Sequence, residues 1–315
     1  MSAGFPKPIN AFTRLCAVFG RPIRHSASPA MQNAGMAALG LNWRYLACDV
    51  APEDLPAAIA GARAMHFLGL NLTVPHKLLA VSLVDELDLS AETWGAVNTI
   101  RFEGEDSDGN WRPLAELSEL RGPVRSRGFN TDADAIVRSL SEDLAIEPRG
   151  ARVLLLGAGG AGRTAALRLA DEGVCALWLI NRTEDKAREL AVEVAGRFPA
   201  VEVQVGYPDS AVEIVLNATS LGLKAEDALP LDIGRFPLNR ADVVFDMIYR
   251  PAETPLLHAA KRAGCRTANG LGMLLYQGAA ALELWSGCPA PVEVMRTALQ
   301  HEIYGPKPAS APDAP

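Results

Sequence analysis

Apolar and polar residues alternate along this chain in blocks of strand length and of helix length. In the first hundred residues the apolar runs predict strands at 15–20, 44–50, 67–72 and 97–102, and helices at 29–39, at 53–61 and from Pro75 onward. Strands that alternate with helices are typical of α/β folds with mainly parallel sheets. The pattern therefore predicts an α/β architecture.

The second part of the chain continues the alternation after a polar interruption. Residues 103–127 are polar and mostly aperiodic, which indicates a surface excursion, with a widened hairpin as one interpretation. A helix then leads from Asp132 to an unmixed apolar run at 152–156, typical of a strand buried on both faces. Further strands are predicted at 176–181, 213–217 and 243–245, with helices between them and at 271–285 and 292–301. The Pro/Ala-rich tail 306–315 is predicted to be disordered.

Composition narrows the class of protein. A length of 315 residues suggests two domains, and 49% hydrophobic with 21% charged residues is typical of a globular protein. A net charge of −7 argues against a nucleic-acid partner, and no apolar run reaches the roughly 18 residues of a membrane span. Five scattered cysteines and five scattered histidines suggest no metal site. We expect buried free thiols and a cytoplasmic location, since the N-terminus has no signal-peptide pattern.

A glycine-rich turn follows the predicted strand 152–156 and precedes an amphipathic helix. Its glycines match G-x-G-x-x-G in the strand–turn–helix context that dinucleotide sites use. Such glycines allow a tight turn and a close backbone approach, while the helix N-terminus offers amides to a pyrophosphate. The alternative is a turn without a ligand. The expected cofactor contacts in this turn are Gly157, Ala158, Gly159, Gly160, Ala161 and Gly162.

The end of the next predicted strand favours NADP over NAD. An NAD enzyme usually carries Asp or Glu at this point to bind the ribose hydroxyls. Here the strand ends in Asn181, Arg182 and Thr183, with Lys186 one turn further on. Arg182 can pair with a 2′-phosphate and Thr183 can hydrogen-bond to it. Thr183 is equally suited to cap the next helix, and both roles can hold together.

Polar residues also follow the predicted strands of the first hundred residues. Lys77 would lie in the first turn of the helix from Pro75, where the helix dipole disfavours a cation by ~0.3–1 kcal/mol and lowers a lysine pKa. Alone, Lys77 would be read as a surface residue. Ser26 and Ser28 fit either a small carboxylate or, for Ser28, a helix N-cap. Asn98 and Asp132 have similar structural alternatives, as a turn residue and a helix cap.

Ordered motifs along nearly the whole chain make the sequence resemble the shikimate dehydrogenase family. They are Pro22-Ile-Arg-His-Ser-Ala-Ser-Pro29, Asn71-Leu-Thr-Val-Pro-His-Lys77, Gly95-Ala-Val-Asn-Thr99, Asn130-Thr-Asp132, Gly157-Ala-Gly-Gly-Ala161, Asn181-Arg-Thr183, Asn217-Ala-Thr-Ser-Leu-Gly222, Asp246-Met-Ile-Tyr249 and Gly270-Leu-Gly-Met-Leu-Leu-Tyr-Gln277. The resemblance implies reversible reduction of 3-dehydroshikimate to shikimate by NADPH, in aromatic amino-acid biosynthesis.

The resemblance also implies a two-domain organisation. An N-terminal α/β substrate domain (residues 1–132, completed by helices at about 270–305) would accompany a Rossmann-type, doubly wound NADP-binding domain (133–269), with the active site in a cleft between them. The tail would be residues 306–315. The protein would be a monomer or a homodimer.

Roles for individual residues follow from the same resemblance. Lys77 and Asp132 would be the acid/base pair, because hydride leaves the carbinol carbon only as the hydroxyl proton is taken up. Tyr249 would lie between substrate and nicotinamide. The other implied substrate contacts are Ser26 and Ser28 at the carboxylate and Asn71, Thr73, Asn98 and Gln277 at the ring; further cofactor contacts would be Asn181, Thr219, Met247, Gly270 and Met273.

Departures from the family pattern keep two other functions open. Gln32 stands where the family often has histidine, Lys186 replaces a frequent arginine, and Ala133 and Asp134 follow Asp132 where glycine and apolar residues are common. The excursion 103–127 is longer than usual. A quinate/shikimate dehydrogenase with broader substrate and NAD use is the nearest alternative. The other is a noncatalytic NADP-binding sensor, which would not need both Lys77 and Asp132.

Overall fold

The computed structural model describes residues 8–120, 122–224 and 226–305. The tail 306–315 that the sequence predicts to be disordered lies outside these residues. The chain divides into two compact units: unit 1 runs to Thr131 and resumes at Gly278, and unit 2 is Asp132–Gln277. The functional domain limits given above stay a prediction.

Unit 1 is built on a mixed sheet. Its strands are β1 (Arg14–Gly20), β2 (Trp43–Asp49), β3 (Gly69–Leu72), β4 (Glu86–Leu87), β5 (Thr99–Glu105), β6 (Trp111–Pro113) and β7 (Val124–Phe129), and its helices are α1 (Ser28–Ala38), α2 (Leu55–Ala64), α3 (His76–Leu79), α4 (Leu89–Trp94) and α10 (Val292–Tyr304). The strand order is β2-β1-β3-β5-β7-β4, with β6 paired to β5. The first three strands are parallel, whereas β5 is antiparallel to β3, β6 and β7.

Unit 2 is an entirely parallel, doubly wound sheet. Its elements are α5 (Asp132–Leu144), β8 (Arg152–Leu156), α6 (Gly160–Glu172), β9 (Ala176–Ile180), α7 (Glu184–Arg197), β10 (Glu202–Val205), β11 (Val212–Asn217), β12 (Ala241–Asp246), α8 (Pro255–Arg262), β13 (Arg266–Asn269) and the first part of α9 (Leu271–Ser286). The order β10-β9-β8-β11-β12-β13 is that of the Rossmann fold. The predicted α/β fold class is confirmed.

The core of each unit follows from the apolar runs. In unit 2, Leu154 and Leu156 of β8 are fully buried and pack with Val215 and Val244 of the neighbouring strands. In unit 1, Trp285 of α9 is buried and donates its indole N–H to the Ile100 carbonyl at 3.0 Å. A Cβ at Gly69 would lie 2.0 Å from the Trp285 indole nitrogen, so this strand position requires glycine.

The excursion 103–127 is more ordered than its sequence suggests. The hairpin interpretation is correct, since β5 and β6 pair as antiparallel strands. The surface interpretation is wrong for Glu103, which is buried because Arg101 and Arg125 pair with its carboxylate. Arg125 lies opposite Glu103 across the β5–β7 pair, a register that the sequence does not show. The sequence also does not predict β4, β6, β7, β10, β13, α4 and α8. The helix predicted between β11 and β12 is wrong, since the described residues there form only a 3-10 helix at Leu238–Arg240.

The cysteines only partly follow the prediction. All five are free, but only Cys16 and Cys265 are buried, while Cys175 and Cys288 are exposed. In the described part of the chain, no helix is both long and apolar enough to cross a membrane. Among the same residues, no group of three or more His, Cys, Asp or Glu side chains is arranged to hold a metal.

Candidate functional site

Lys77 lies in the short helix α3, and the body of unit 1 holds the segment between β3 and this helix at several points. Thr73 donates its backbone N–H to the β1 carbonyl of Phe19 at 3.0 Å. The His76 ring donates from Nε2 to the Val50 carbonyl at 2.9 Å. The Lys77 carbonyl accepts from the Val97 N–H at 2.9 Å. The backbone that carries Lys77 is therefore fixed, and its side chain is partly buried.

The helix predicted from Pro75 is a single turn. Pro75 precedes it at the N-cap and α3 covers only His76–Leu79. The prediction that this helix begins at Pro75 is wrong, because the Thr73 carbonyl accepts the His76 N–H and closes a turn before the helix starts. The dipole argument for Lys77 fails with it, since about one turn gives few aligned peptide dipoles to sum. What distinguishes Lys77 is that unit 1 anchors its segment at Thr73, at His76 and at the Lys77 carbonyl.

Two predicted substrate residues, Asn71 and Asn98, belong to one buried hydrogen-bond network. The Asn71 Oδ1 atom accepts from the Tyr45 hydroxyl at 2.7 Å, and its Nδ2 donates to Thr99 Oγ1 at 3.0 Å and to the Asn98 carbonyl at 3.3 Å. Asn98 binds Thr131 twice: its Oδ1 accepts from the Thr131 N–H at 2.8 Å, and its Nδ2 donates to Thr131 Oγ1 at 3.0 Å. The turn before Asp132 is thus held by Asn98.

The serine loop joins Ser26 to Ser28. Ser26 Oγ accepts from the Ser28 N–H at 3.4 Å, and the Ser26 N–H donates to the Ile23 carbonyl at 2.9 Å. Ser28 is the first residue of α1 and makes no side-chain cap, so the N-cap interpretation is wrong. The physical reason is that Ala27 already has helical dihedral angles, and the N-cap position falls on it. The Ser28 hydroxyl is therefore not occupied by capping.

In unit 2 the predicted glycine turn is built by close backbone packing. Gly157 has a φ of +105°, which favours glycine, and it donates its N–H to the Ile180 carbonyl at 2.7 Å. A Cβ at Gly162 would lie 2.0 Å from the Gly157 carbonyl oxygen. Ala158 N–H donates to Asn181 Oδ1 at 3.1 Å, which ties the turn to the end of β9. The glycine pattern therefore reflects real packing constraints.

The other side of the turn is open, and the residues fit a dinucleotide pyrophosphate. A Cβ added at Gly159 or at Gly160 would meet no protein atom within 4 Å. Helix α6 begins here with Gly159 as its N-cap and without a side-chain cap. Uncapped amides beside open space are what an anion at a helix N-terminus requires. Ala161 is exposed on the first turn of the same helix.

The end of β9 presents cations and no acid. Arg182, Thr183 and Lys186 are exposed. Among the described residues neither cation forms an ion pair. Thr183 occupies the N-cap position of α7, as the capping interpretation predicts, but its side chain forms no capping hydrogen bond. These side chains fit a 2′-phosphate better than two ribose hydroxyls.

Two further predicted cofactor residues lie on loops at the carboxyl ends of β11 and β12. Thr219 donates from its N–H (3.0 Å) and from its hydroxyl (2.8 Å) to Asn217 Oδ1. The Met247 N–H donates to the Asn217 carbonyl at 2.9 Å. Gly270 packs against Met247, since a Cβ there would lie 2.0 Å from the Met247 carbonyl oxygen. The structure thus brings Thr219, Met247 and Gly270 together within unit 2.

The remaining predicted residues are Tyr249, Met273, Gln277 and Asp132. Tyr249 is partly buried, and burial raises the pKa of its phenol although Arg250 lowers it. Met273 and Gln277 lie in α9, where Gln277 Nε2 donates to the Leu274 carbonyl at 2.8 Å. Asp132 is the first residue of α5 and follows Thr131 directly.

Sequence reasoning missed the residues that support these side chains. Tyr45, Thr99 and Thr131 complete the asparagine network of unit 1. Asp246 lies under the loops of unit 2, where burial raises the pKa of its carboxyl more than hydrogen bonds from Thr254, Ile248 and Asn217 lower it. Asp246 begins one of the family motifs, Asp246-Met-Ile-Tyr249, but the sequence analysis assigns it no role.

The fold and the site define unit 2 as a dinucleotide-binding α/β module. Family models match three segments: "Shikimate dehydrogenase substrate binding domain" over 18–100, "Shikimate / quinate 5-dehydrogenase" over 139–222 and "Shikimate 5'-dehydrogenase C-terminal domain" over 270–300.

The "Shikimate dehydrogenase (NADP(+))" of Moorella thermoacetica is 43% identical over 94% of this chain and 95% of its own. That of Methanopyrus kandleri is 40% identical over 93% and 97%. A crystal structure of a shikimate dehydrogenase with NADP+ is 34% identical with a TM-score of 0.80, covering 95% of this chain and 98% of its own. The chain belongs to the shikimate dehydrogenase family.

Proposed function

We propose that this protein is an NADP-dependent shikimate dehydrogenase that reversibly reduces 3-dehydroshikimate to shikimate. Its family membership gives the reaction class. The observation that carries the cofactor assignment is the end of β9, where Arg182 stands in place of an acid beside the open N-terminus of α6. Curated relatives that share about 40% of its residues carry the same cofactor in their names.

On the cofactor side, the amides at the start of α6 would hold the pyrophosphate. Arg182, Thr183 and Lys186 would hold the 2′-phosphate, and Asn181 would keep the turn in place through Ala158. We propose Thr219, Met247, Gly270 and Met273 as further contacts. When bound, NADPH supplies the hydride for the substrate carbonyl carbon.

On the substrate side, the hydrogen bonds within the protein determine which donors and acceptors each residue has left for the substrate. Ser26 Oγ accepts the Ser28 N–H, so both serine hydroxyl hydrogens stay available to a carboxylate. Both Nδ2 hydrogens of Asn71 are donated within the protein, so Asn71 would only accept from a substrate hydroxyl through Oδ1. Asn98 would hold Thr131 and, through it, the start of Asp132. Thr73, Tyr249 and Gln277 complete the proposed set.

We propose Lys77 and Asp132 as the acid/base pair. In the reduction, the Lys77 ammonium would donate a proton to the oxygen that becomes the hydroxyl, and its amine would take that proton back in the oxidation. The Asp132 carboxylate would accept a hydrogen bond from a substrate hydroxyl and stabilise the ammonium.

Replacing Lys77 tests the proposed chemistry. Lys77→Ala should lower kcat roughly 10²- to 10⁴-fold, the usual contribution of a general acid/base, while NADP+ affinity stays within about twofold. Lys261→Ala is the matched control, because Lys261 is exposed and pairs only at the surface with Glu253 at 3.4 Å. Turnover by Lys77→Ala equal to that of Lys261→Ala would remove Lys77 from the mechanism.

A comparison of four rates tests the substrate and the cofactor. Oxidation of shikimate and of quinate is measured with NADP+ and with NAD+, and shikimate with NADP+ should be fastest. Faster quinate oxidation with NAD+ would instead identify the broader quinate/shikimate enzyme. NADP+ binding without turnover of either substrate would identify the noncatalytic sensor. We further propose a cytoplasmic location, supported by five free cysteines, and a monomer or homodimer, which sedimentation velocity distinguishes.

A further inference from the structure

Asp246 is a buried carboxylate held by neutral groups. It ends β12 and is 0% exposed. Its Oδ1 atom accepts from Asn217 Nδ2 at 2.9 Å and from the Ile248 N–H at 3.1 Å, and its Oδ2 accepts from the Thr254 hydroxyl at 2.6 Å. Within the described part of the chain no lysine or arginine bonds to it. Such a residue costs stability, since an apolar residue would avoid the desolvation.

The three donors come from three different segments of unit 2. Asn217 is the last residue of β11, and Ile248 lies in the loop after β12. Thr254 is the N-cap of α8, where its Oγ1 accepts the Leu257 N–H at 3.3 Å. One carboxylate therefore fixes the end of a strand, a loop and a helix terminus relative to one another.

Asn217 connects Asp246 to the proposed cofactor residues Thr219 and Met247. With Nδ2 donated to Asp246, its Oδ1 faces Thr219 and accepts both the N–H and the hydroxyl of that residue. Its carbonyl accepts the Met247 N–H at 2.9 Å. Asn217 Nδ2 also donates to the Leu221 carbonyl, at the longer distance of 3.4 Å. Without Asp246 the amide would therefore lose its shorter Nδ2 bond and would hold the Thr219 loop less firmly.

We infer that Asp246 is a positioning residue for the cofactor: its carboxylate sets the loops that carry Thr219 and Met247. The inference rests on the proposed NADP function. Asp246 need not touch the cofactor, because it acts through Asn217 and Ile248. The carboxylate accepts all three bonds, and a leucine at this position would accept none of them.

The test is NADP+ binding to Asp246→Leu by calorimetric titration, because an asparagine would still accept from Asn217 and Ile248 through its oxygen and could donate to Thr254 through its nitrogen. We expect the Kd to rise about tenfold, the effect of losing one good hydrogen bond from a binding site. The KM for NADP+ should rise equally, while the KM for shikimate stays within about twofold. Hydrogen exchange of the ligand-free protein gives a readout independent of activity: the amides of Thr219 and Ile248 should lose protection, and those of β8 should not.

Two controls separate positioning from a general loss of stability. Val212→Ala truncates a buried residue at the opposite end of β11 and should lower stability without changing NADP+ affinity. Thr254→Ser keeps the hydroxyl and should bind like the wild type, whereas Thr254→Val should bind more weakly. The threonine pair also provides the test if Asp246→Leu does not fold.

The outcomes are distinguishable. Wild-type NADP+ affinity in both Asp246→Leu and Thr254→Val would overturn the positioning role, as would equal weakening in Val212→Ala. A wild-type protein that binds no NADP+ would instead contradict the proposed function itself.

Discussion

The two units build their polar sites in different ways. In unit 1, side chains hold one another: Asn71 and Asn98 are fixed by hydrogen bonds to Tyr45, Thr99 and Thr131. In unit 2, the turn that follows β8 is shaped by backbone atoms in close contact, with glycine required where a Cβ would collide.

This difference decides how each site responds to substitution. A site made of close backbone contacts tolerates no added atom, because interiors are packed too densely for the chain to give way cheaply. A site made of paired side chains responds to the number of polar groups that lose a partner. We expect one added atom to weaken binding sharply at the site made of backbone contacts. At the site made of paired side chains, the loss of stability should grow with the number of polar groups that lose a partner.

The largest effect is expected from Gly162→Ala. Its Cβ would lie 2.0 Å from the Gly157 carbonyl oxygen, so the turn or the start of α6 must move. NADP+ affinity should fall by at least about 100-fold, and the free energy of unfolding should fall by roughly 1–3 kcal/mol. Calorimetric titration and urea unfolding measure the two quantities.

Gly160→Ala is the matched control for this turn. Its Cβ would meet no protein atom within 4 Å, so unfolding should be unchanged. The methyl would occupy the space proposed for the pyrophosphate, so affinity alone should drop, by about tenfold. If both variants bind NADP+ like the wild type, the pyrophosphate does not lie on this turn.

A smaller effect is expected from Asn98→Ala in unit 1. The substitution removes the Asn98 side chain from the buried N–H and hydroxyl of Thr131, although the hydroxyl keeps its contact with Thr99 Oγ1 at 3.3 Å, and it should lower the free energy of unfolding by about 1–3 kcal/mol. Turnover should fall as well, because Asp132 follows Thr131. Affinity for NADP+ should change less than about twofold, in contrast to the glycine variants.

Asn110→Ala provides the comparison for Asn98→Ala. Asn110 is exposed in the turn between β5 and β6, and its loss should change unfolding by less than about 0.5 kcal/mol. Equal destabilisation by the two variants would show that the buried network adds nothing specific.

The same difference explains what the sequence could predict. The glycine turn is local, with Gly157, Gly159 and Gly162 within six residues of a recognisable strand, so its packing follows from the pattern. The parallel sheet of unit 2 was likewise predictable, because its central strands are apolar runs between helices. The family motifs brought Lys77 and Asp132 to notice.

Contacts between residues that are far apart in the sequence could not be predicted. Asn71 and Thr99 are 28 residues apart and Asn98 and Thr131 are 33 apart, so no local pattern joins them. The burial of Glu103 depends on the register that sets Arg125 opposite it. The helix predicted from Pro75 is only a single turn in the structure, because a tight turn at Thr73 precedes it.

The smallest effects concern two carboxylates with lowered pKa values. In unit 1, burial raises the pKa of Asp85, but hydrogen bonds from the N–H and hydroxyl of Ser126, both 2.7 Å long, and the charge of Arg63 outweigh it. In unit 2, Glu213 has a lowered pKa chiefly because it accepts hydrogen bonds from Arg152. One carboxylate thus depends largely on neutral donors and the other on a cation.

Both carboxylates should lose their contribution to stability as the pH falls. A folded-state pKa below the ordinary value, 3.8 for Asp85 and 4.5 for Glu213, gives stability that is present above that value and disappears as the pH drops through the folded pKa. Asp85→Asn and Glu213→Gln should therefore each destabilise the protein near neutral pH, by less than about 1 kcal/mol since both sites are partly exposed, and match the wild type in acid. Added salt should shrink the effect of Glu213→Gln more than that of Asp85→Asn, because only the former depends mainly on charge. Urea unfolding across pH at low and high salt measures this, with Glu189→Gln on the exposed face of α7 as the control. The same salt dependence in both variants would show that Arg63, and not Ser126, is what stabilises the Asp85 carboxylate.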